Sequence, residues 1–520
     1  MSFAYLVLSF FVWAFPLIFL KKKLYFIIGF FFLLLSPLEI IFVRSLGTPL
    51  TVGFIDSVLK SNFKETTEQL SGNIMLLGIF VLVIVLYLYF LFKIENQYLS
   101  KKIRKITLGL FVIFNLGLLY QMFSIQKDFK DTFDTKVEQM FSTTFMKYEK
   151  IYPSNLIFNT YSNLLNYKKI NEMNARLSTF TFQAKSQNPK DDEEVFVLVI
   201  GETARFGNFH LNGYSRQTSP YLDKIPNLLS FQNVYAQANL TSISVPQIIT
   251  RATPENQDLQ YSEKNIADAF YEAGFYTAWL ANQSGENPMI KRMSKSIDYF
   301  KSNNTEVDTK SFLDEDILPQ FNDLLANNKN KKFIAIHSLG SHFRYTSRYQ
   351  KSFEKFKPTM NETGYNTIDF SHKQEIINSY DNSILYTDYF LHLLIDDLKK
   401  TNKKAVLIYV ADHGENLYDD DKKYFAHGTV APTKYEYHIP YFIWYSDEYK
   451  EANPKKINEL SKNLTSAANS GTTFYTLLDL ANIHYKNSNN ELFKSLSSEK
   501  YIAPKERKML NSERKIIKIK

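Results

Sequence analysis

In "EVFVLVIGETARFG" an apolar run, Val195 to Ile200, stops at Gly201 and is followed at once by a carboxylate, Glu202. The pattern recurs downstream. "KFIAIHSLGSH" ends its run in His337 and then His342, and "KAVLIYVADHGE" ends in Asp412, His413 and Glu415, with His427 close behind in "YFAHGT". Adjacent ionisable groups beside an apolar run are costly to bury unpaired, so Asp412 and His413 point to a metal or catalytic role rather than to packing. Carboxylate and imidazole supply the oxygen and nitrogen donors that Zn²⁺ takes in tetrahedral geometry. There is no cysteine, which excludes disulfides, thiol catalysis and Cys-ligated metal, so any metal must be held by His, Asp, Glu or hydroxyl. For Glu202 alone, a helix cap or a solvated loop residue is the plainer reading. His210, His372, His392, His438 and His484 lack such a setting and read as structural or exposed.

Metal-ligating residues do not define a reaction, so a nucleophile must be sought. "NLTSISVPQIITR", Asn239 to Arg251, is hydroxyl-rich and leads into an apolar helix with Pro246 in its first turn. A hydroxyl there would meet backbone N–H groups that stabilise an anion, and a neighbouring Zn²⁺ would lower its pKa. The hydroxyls of Thr241, Ser242 or Ser244 would serve equally well as plain N-caps. Residue types alone do not choose between the two.

To gather these groups at one edge, the chain must deliver strand ends side by side. From Val195 onward strands and helices alternate: "EVFVLVIG", the helix "NIADAFYEAG" stopped by Gly274, "FYTAWLANQS", "KFIAIHSLGSH", a long helix around "SYDNSILYTDYFLHLLIDDLKK", and "KAVLIYVADHGE". This predicts an α/β domain with a mainly parallel sheet between helices, whose ligand site lies at the C-terminal ends of the strands. Before it come four apolar stretches, Phe3–Leu20, Leu24–Val43, Ile74–Phe92 and Ile106–Phe123, each near the roughly 20 residues that a helix needs to cross a bilayer. The expected organisation is a transmembrane helical domain over 1–124 with an outside loop at 44–73, a connecting arm over 125–194, a catalytic domain over 195–504 and a basic tail over 505–520.

Basic residues cluster in the two short loops, at Lys21, Lys22 and Lys23 and at Lys93, Lys101, Lys102, Arg104 and Lys105, which predicts both loops in the cytoplasm and the N-terminus and catalytic domain outside. Over 520 residues the net charge is only +8, and no basic face is interleaved with aromatics, so nucleic acid is not an expected partner. The tail from Lys505 reads as solvated, with attraction to an anionic membrane surface as the second reading.

"GETARFGNFHLNGYSRQTSPYL", "TSISVPQ", "WLANQS", "HSLGSH", "YDNSILYTDY", "ADHGE" and "AHGT" occur in the order found in bacterial phosphoethanolamine transferases, a branch of the alkaline phosphatase and sulfatase superfamily. The chain resembles that family from about Val195 to Pro440, and "FIDSVLKSNFKETTEQL" is similar to the family's periplasmic helix at the lipid site. The resemblance implies Glu202, Thr241, Asp412 and His413 as ligands of one zinc, with a second zinc in prospect, and Thr241 as nucleophile. It places His342, His427 and Glu415 beside the substrate, with His342 and His427 also as catalytic groups, and Asn62 and Thr66 on the lipid side.

The chemistry implied is a double displacement. Phosphoethanolamine passes from phosphatidylethanolamine to Thr241 and then to a lipopolysaccharide acceptor, at the bacterial inner membrane with the catalytic domain in the periplasm. Members that modify lipid A place a lysine where this chain has "ENPMIKR" after "ANQSG", and many carry disulfides or a fifth span. The missing lysine and disulfides, with the wording of "SISVP" and "LANQS", favour a core sugar over lipid A as acceptor. A related glycerol phosphate transferase or a sulfatase-fold phosphoester hydrolase is the rival reading; a sulfatase itself would need C/S-x-P-S-R, whereas the residues around Pro246 are "SVPQI".

Overall fold

The computed structural model describes residues 3–46, 49–55, 74–125, 151–177, 179–284, 297–304, 312–362 and 369–520. They fall into two compact units, the first taking in the described residues up to Ile55 and from 74 to Asn166, the second running from Tyr167 to Lys520.

The first unit is helical: α1 (Phe3–Ala14), continued by a 3₁₀ turn over Phe15–Ile18, α2 (Lys22–Leu46), α3 (Ile74–Lys93) and α4 (Lys101–Ile125). Helices thus cover all four stretches read as spans. One of them, over Lys22–Arg44 with a mean hydropathy of 2.5, is long and apolar enough to cross a membrane by itself, and Ser9–Ile18 and Leu77–Lys93 are shorter apolar helices. The first is cut short where Pro16 tightens the helix into the 3₁₀ turn. Large apolar side chains lie bare on α2, α3 and α4, with Phe31, Leu82 and Ile113 each more than 60% exposed.

The segment expected to be a connecting arm contains a further helix, α5 (Ser154–Leu177), whose early turns belong to the first unit. A stripe of asparagines spaced by four binds the chain beside it. The Asn155 amide donates to both oxygens of Glu39 at 3.0 and 2.9 Å, Asn159 to the Leu50 carbonyl at 2.8 Å, and Asn163 to the Val52 carbonyl at 3.0 Å. Glu39, the one acidic residue of α2, is buried and also accepts from the Leu50 N–H. Each of these bonds satisfies a polar group that would otherwise be buried unpaired.

The second unit is built on a seven-stranded sheet. In chain order its strands are β1 (Glu194–Gly201), β2 (Leu228–Ser230), β3 (Tyr276–Ser284), β4 (Tyr299–Asn304), β5 (Lys331–His337), β6 (Lys404–Ala411) and β7 (Tyr441–Tyr445), and in space they run β2-β7-β6-β1-β5-β3-β4. The β1–β5, β1–β6, β3–β5 and β3–β4 pairs are parallel, and β7 is antiparallel to both its neighbours. Every residue of β1 is buried, as its unbroken apolar run requires, so both faces are covered.

Helix α6 (Thr241–Ile249) leads into the site, and α7 (Ile266–Glu272) covers one face, its Phe270 stacked on Phe333 of β5 at 4.2 Å and packed against Phe196 of β1. Asn265 and Asp268 close a capping box at its start, and Gly274 follows its end at a φ of +87°. The long α8 (Lys373–Lys399) packs against β6.

Two boundaries differ from the sequence reading. Residues 179–193 belong with the sheet unit, where Thr181, Phe182 and Ala184 all bond to the Glu272 carboxylate and Lys185 and Ser186 pair with the chain at His484 and Ile483. The expected solvated tail is instead a hairpin, β8 (Arg507–Leu510) with β9 (Ile516–Ile519). Met509 and Leu510 are buried, and the Leu510 N–H donates to the Gln237 carbonyl at 2.8 Å. The alternation of isoleucine and lysine in "IIKIK", which resembles a charged tail by composition, is the two-residue period of a strand.

Candidate metal and active site

The strand order brings the ends of β6, β1, β5 and β3 side by side, and each contributes. Glu202 follows β1, Asp412 and His413 follow β6, His337 closes β5 with His342 beyond it, and Gln283 lies near the end of β3. Backbone bonds set the ends level: the Asp412 N–H donates to the Gly201 carbonyl at 2.9 Å, and the Ser341 N–H to the Glu202 carbonyl at 3.0 Å. The ring of Tyr409 lies over Gly201, where a β-carbon would collide with the tyrosine's hydroxyl and ring, so a residue without a side chain suits the turn into Glu202.

Among the described residues, Glu202, Asp412 and His413 form a buried group whose ligand atoms lie within 4.8 Å of one another. Nδ1 of His413 is 2.9 Å from the Gly414 carbonyl, which fixes the proton on Nδ1 and leaves Nε2 as a lone pair. That lone pair is 3.2 Å from Oδ2 of Asp412 and 3.7 Å from Oε1 of Glu202. Oδ1 of Asp412 accepts from the N–H groups of Thr203 and His413 at 3.0 and 2.7 Å, while its Oδ2 is buried with no hydrogen-bond donor. Acceptors that face one another with no proton between them repel, and a bound cation turns that repulsion into attraction. Two carboxylates and one neutral imidazole, all fully buried, are the donor set of a Zn²⁺ site that keeps a fourth position for a non-protein or hydroxyl ligand. Burial, then the charge of Asp412, pushes the Glu202 carboxyl well above the usual carboxylate range, and burial holds His413 at about 4, in its neutral form.

Thr241 lies beside this group. Helix α6 begins at this residue, earlier than expected, so that Pro246 sits inside the helix rather than in its first turn. The Thr241 hydroxyl lies 3.2 Å from each oxygen of Glu202 and 3.1 Å from Nε2 of His413. No side chain caps α6, whereas Ser244 donates at 2.6 Å to the Asp412 carbonyl and ties the helix to the loop that carries Asp412 and His413.

The sequence-expected histidines lie alongside. His427 packs on His413, ring centroids 4.0 Å apart, and its Nδ1 is 2.7 Å from Oε2 of the fully buried Glu415. Burial works against the charged form of His427, but the charge and hydrogen bond of Glu415 outweigh it and raise the pKa above the ordinary value. His342 bonds through Nδ1 to the Phe343 carbonyl at 2.6 Å, and burial followed by the charge of Arg348 holds it at about 3. All three histidines are anchored through Nδ1 and therefore present Nε2. His337 is buried at the end of β5 with neither ring nitrogen bonded, edge-on to Trp279. Asn62 and Thr66, and the "ENPMIKR" segment after Gly285, lie outside the described residues.

Four residues that sequence reasoning passed over hold this constellation in place. Thr203 donates to Oε1 of Glu202 at 2.6 Å, and Gln283 donates to Oε2 at 3.0 Å. Tyr345 donates to Glu415 at 2.9 Å. Asp314, buried, accepts the N–H groups of Leu339 and Gly340 and the amide of Asn282, fixing the loop that carries His342. Gln283 had a sequence signal, since "WLANQS" is also an apolar run with a polar end; the other three had none.

A mainly parallel sheet with buried carboxylates, an imidazole and a helix-terminal hydroxyl at its strand ends is the architecture of a metal-centred α/β domain. The chain belongs to the sulfatase family, whose model matches residues 194–483. Among curated proteins it is 31% identical over 329 residues to the phosphoethanolamine transferase EptC of Escherichia coli (strain K12), an alignment covering 61% of this chain and 55% of that protein. It is 33% identical over 293 residues to the Kdo(2)-lipid A phosphoethanolamine 7''-transferase of the same strain, covering 54% and 50%.

The chain thus spans about half the length of the curated relatives that it matches. Among solved structures, the C-terminal periplasmic domain of EptC from Escherichia coli, in complex with Zn, superposes with a TM-score of 0.58 at 27% identity, covering 64% of this chain and 94% of that one. The integral membrane protein lipooligosaccharide phosphoethanolamine transferase A (EptA) from Neisseria meningitidis shares the fold across 94% of this chain and 90% of its own, with a TM-score of 0.69 at 22% identity.

Proposed function

We propose that the chain is a zinc-dependent phosphoethanolamine transferase of the bacterial inner membrane. In this reading it is a multi-pass protein with its catalytic domain in the periplasm, and it moves phosphoethanolamine from phosphatidylethanolamine to a lipopolysaccharide acceptor, a core sugar in preference to lipid A. The names of the relatives support the transfer, and the zinc-bound neighbour and the lone-pair geometry at Glu202, Asp412 and His413 support the metal. The helices over all four apolar stretches, with their bare apolar surface, support the membrane assignment.

Glu202, Asp412 and His413 would hold the zinc, which would supply the positive charge that lowers the pKa of the neighbouring hydroxyl. Thr241, its hydroxyl proton released to bulk solvent, attacks phosphorus; the bond from phosphorus to the diacylglycerol oxygen breaks, and that oxygen takes a proton from Nε2 of His427. A phosphoethanolamine ester remains on Thr241. The acceptor hydroxyl then attacks the same phosphorus, its proton returns to His427, and the Thr241 oxygen leaves as the alkoxide with which the cycle began. Glu415 keeps His427 charged for the first step, and His342, neutral with a free Nε2, accepts a hydrogen bond from the ammonium or acceptor hydroxyl.

The observation that carries this reading is the Thr241 hydroxyl, which contacts Glu202 and His413 and caps nothing. Intact-mass analysis and peptide mapping of protein incubated with phosphatidylethanolamine without acceptor should find the phosphoethanolamine adduct on Thr241. An adduct on Ser242 or Ser244 would move the nucleophile. Wild-type transfer by Thr241→Ala would end the case for a covalent threonine. For the acceptor, mass spectrometry of envelope glycolipids should find the group on core sugars, and its confinement to lipid A phosphates would reverse that preference.

A further inference from the structure

We propose that Gln283 is a positioning residue that fixes the carboxylate of Glu202 as a metal ligand. Glu202 is fully buried, and each of its oxygens has one side-chain donor besides the Thr241 hydroxyl: Oε1 takes Thr203 at 2.6 Å and Oε2 takes Nε2 of Gln283 at 3.0 Å. The second hydrogen of the same amide goes to the Ser338 carbonyl at 3.2 Å. Reversing the amide would set its oxygen against a carboxylate and a carbonyl, so the chemistry of the neighbours determines its orientation. Thr203 is adjacent in sequence and travels with Glu202, whereas Gln283 comes from β3, two strands away across β5, and links the β1 end to the loop that follows β5.

The consequence concerns rotation. A carboxylate turns freely about its last bond, and a ligand oxygen that must meet Asp412 and His413 cannot do so in a fixed place unless the other oxygen is held. Gln283 holds it with a neutral donor, which leaves the negative charge for the metal; a lysine or arginine in its place would neutralise the ligand. Gln283 does not itself touch the hydroxyl of Thr241 or the histidines among the contacts of the site, so its effect reaches the chemistry through Glu202.

This assignment rests on the zinc reading, and the test separates the two. The full-length chain in detergent is stripped of metal, and its zinc affinity is measured by competition with a chromogenic chelator, beside thermal unfolding of the metal-free protein. Gln283→Met keeps the length of the side chain and removes the donor; Gln283→Ala is the second variant should the first fail to fold. Ser302→Ala removes a bond to the Gln283 backbone carbonyl, 2.9 Å long, without touching Glu202, and controls for disturbance of the strand.

The expected result is a loss of zinc affinity of about 10–100-fold in the Gln283 variants, with metal-free unfolding unchanged and Ser302→Ala at the wild-type value. A wild-type chain that binds no zinc overturns the zinc reading and this assignment with it. Wild-type zinc binding that persists undiminished in both Gln283 variants overturns the positioning role alone, as does an equal loss in Ser302→Ala.

Discussion

Nε2 of His413 stands 3.1 Å from the Thr241 hydroxyl, while Nδ1 of the same ring is held at 2.9 Å by the Gly414 carbonyl. The ring therefore cannot turn away from the hydroxyl, and the two residues play different parts: His413 belongs to the buried ligand group and Thr241 lies beside it. Thr241→Ala is expected to keep its zinc and to lose transfer by several orders of magnitude. Were the hydroxyl only a cap, its loss would cost about 1 kcal/mol of stability and leave activity intact. His413→Ala is expected to lose both, with a fall in zinc affinity beyond the roughly 10–100-fold that removal of an outer partner costs. Metal analysis of the purified variants beside a transfer assay separates these outcomes, and a metal-free Thr241→Ala protein would contradict them.

Gly340 lies in the loop after β5 at a φ of +48°, and a β-carbon on it would meet the Glu202 carbonyl oxygen at 2.7 Å and its nitrogen at 2.9 Å. Both obstacles are backbone, so no side chain can swing aside. Gly340→Ala is expected to destabilise by roughly 1–3 kcal/mol and to weaken zinc binding by displacing Glu202. Gly207, where a β-carbon meets nothing within 4 Å, is the comparison, and its alanine variant should match wild type in thermal unfolding and in zinc affinity.

In the proposed topology the lysine-rich loops are cytoplasmic and the N-terminus lies outside, so reporter fusions after Leu20 and after Ser124 are expected to report cytoplasm and periplasm respectively. A cytoplasmic signal after Ser124 would put the site on the wrong side of the membrane for its lipid donor and end the proposed function.

Asp388, buried on α8, accepts the N–H groups of Tyr221 and Leu222 at 3.0 and 2.9 Å, with no cation among these bonds. Burial, helped by the nearby charge of Asp223, raises its pKa to about 7. The folded chain then keeps a proton that the unfolded chain releases near pH 4. The stability that this proton provides is fully present below about pH 4 and is lost as the pH rises through about 7, at about 1.4 kcal/mol per unit. Thermal unfolding between pH 5 and 8 is expected to show a shallower fall in Asp388→Asn, and an unchanged slope would remove Asp388 as its source.

The parts of the site that could be read from the sequence were those where chemistry contradicts its surroundings. Asp412 and His413 stand out because adjacent ionisable residues follow a run that reads as a buried strand, whereas Glu202 by itself reads as a cap and is picked out as a ligand only by the family resemblance. Their supports are quiet: Thr203 and Asp314 look like ordinary loop polars, and what they do depends on a crossing order that local pattern does not contain. The asparagines of α5 show the same limit, since their spacing by four is visible but the partners Glu39, Leu50 and Val52 are not. The C-terminal hairpin was hidden for another reason. Its lysines dominate the composition, and the buried Met509 and Leu510 give only a short apolar signal.

Strand β1 is the centre of the sheet and the first long strand to be synthesised, yet Val197 finds its partners only at Ile334 and Leu407. Until both have been made, "EVFVLVIG" is a naked apolar segment with two open edges, the kind of sequence that associates with other chains. The site has the same timing, because Glu202 and Thr241 emerge long before Asp412 and His413. If the chain is threaded outward as it is made, the metal can be captured only after Asp412 and His413 have crossed, so the ion must come from the destination compartment rather than from the cytoplasm.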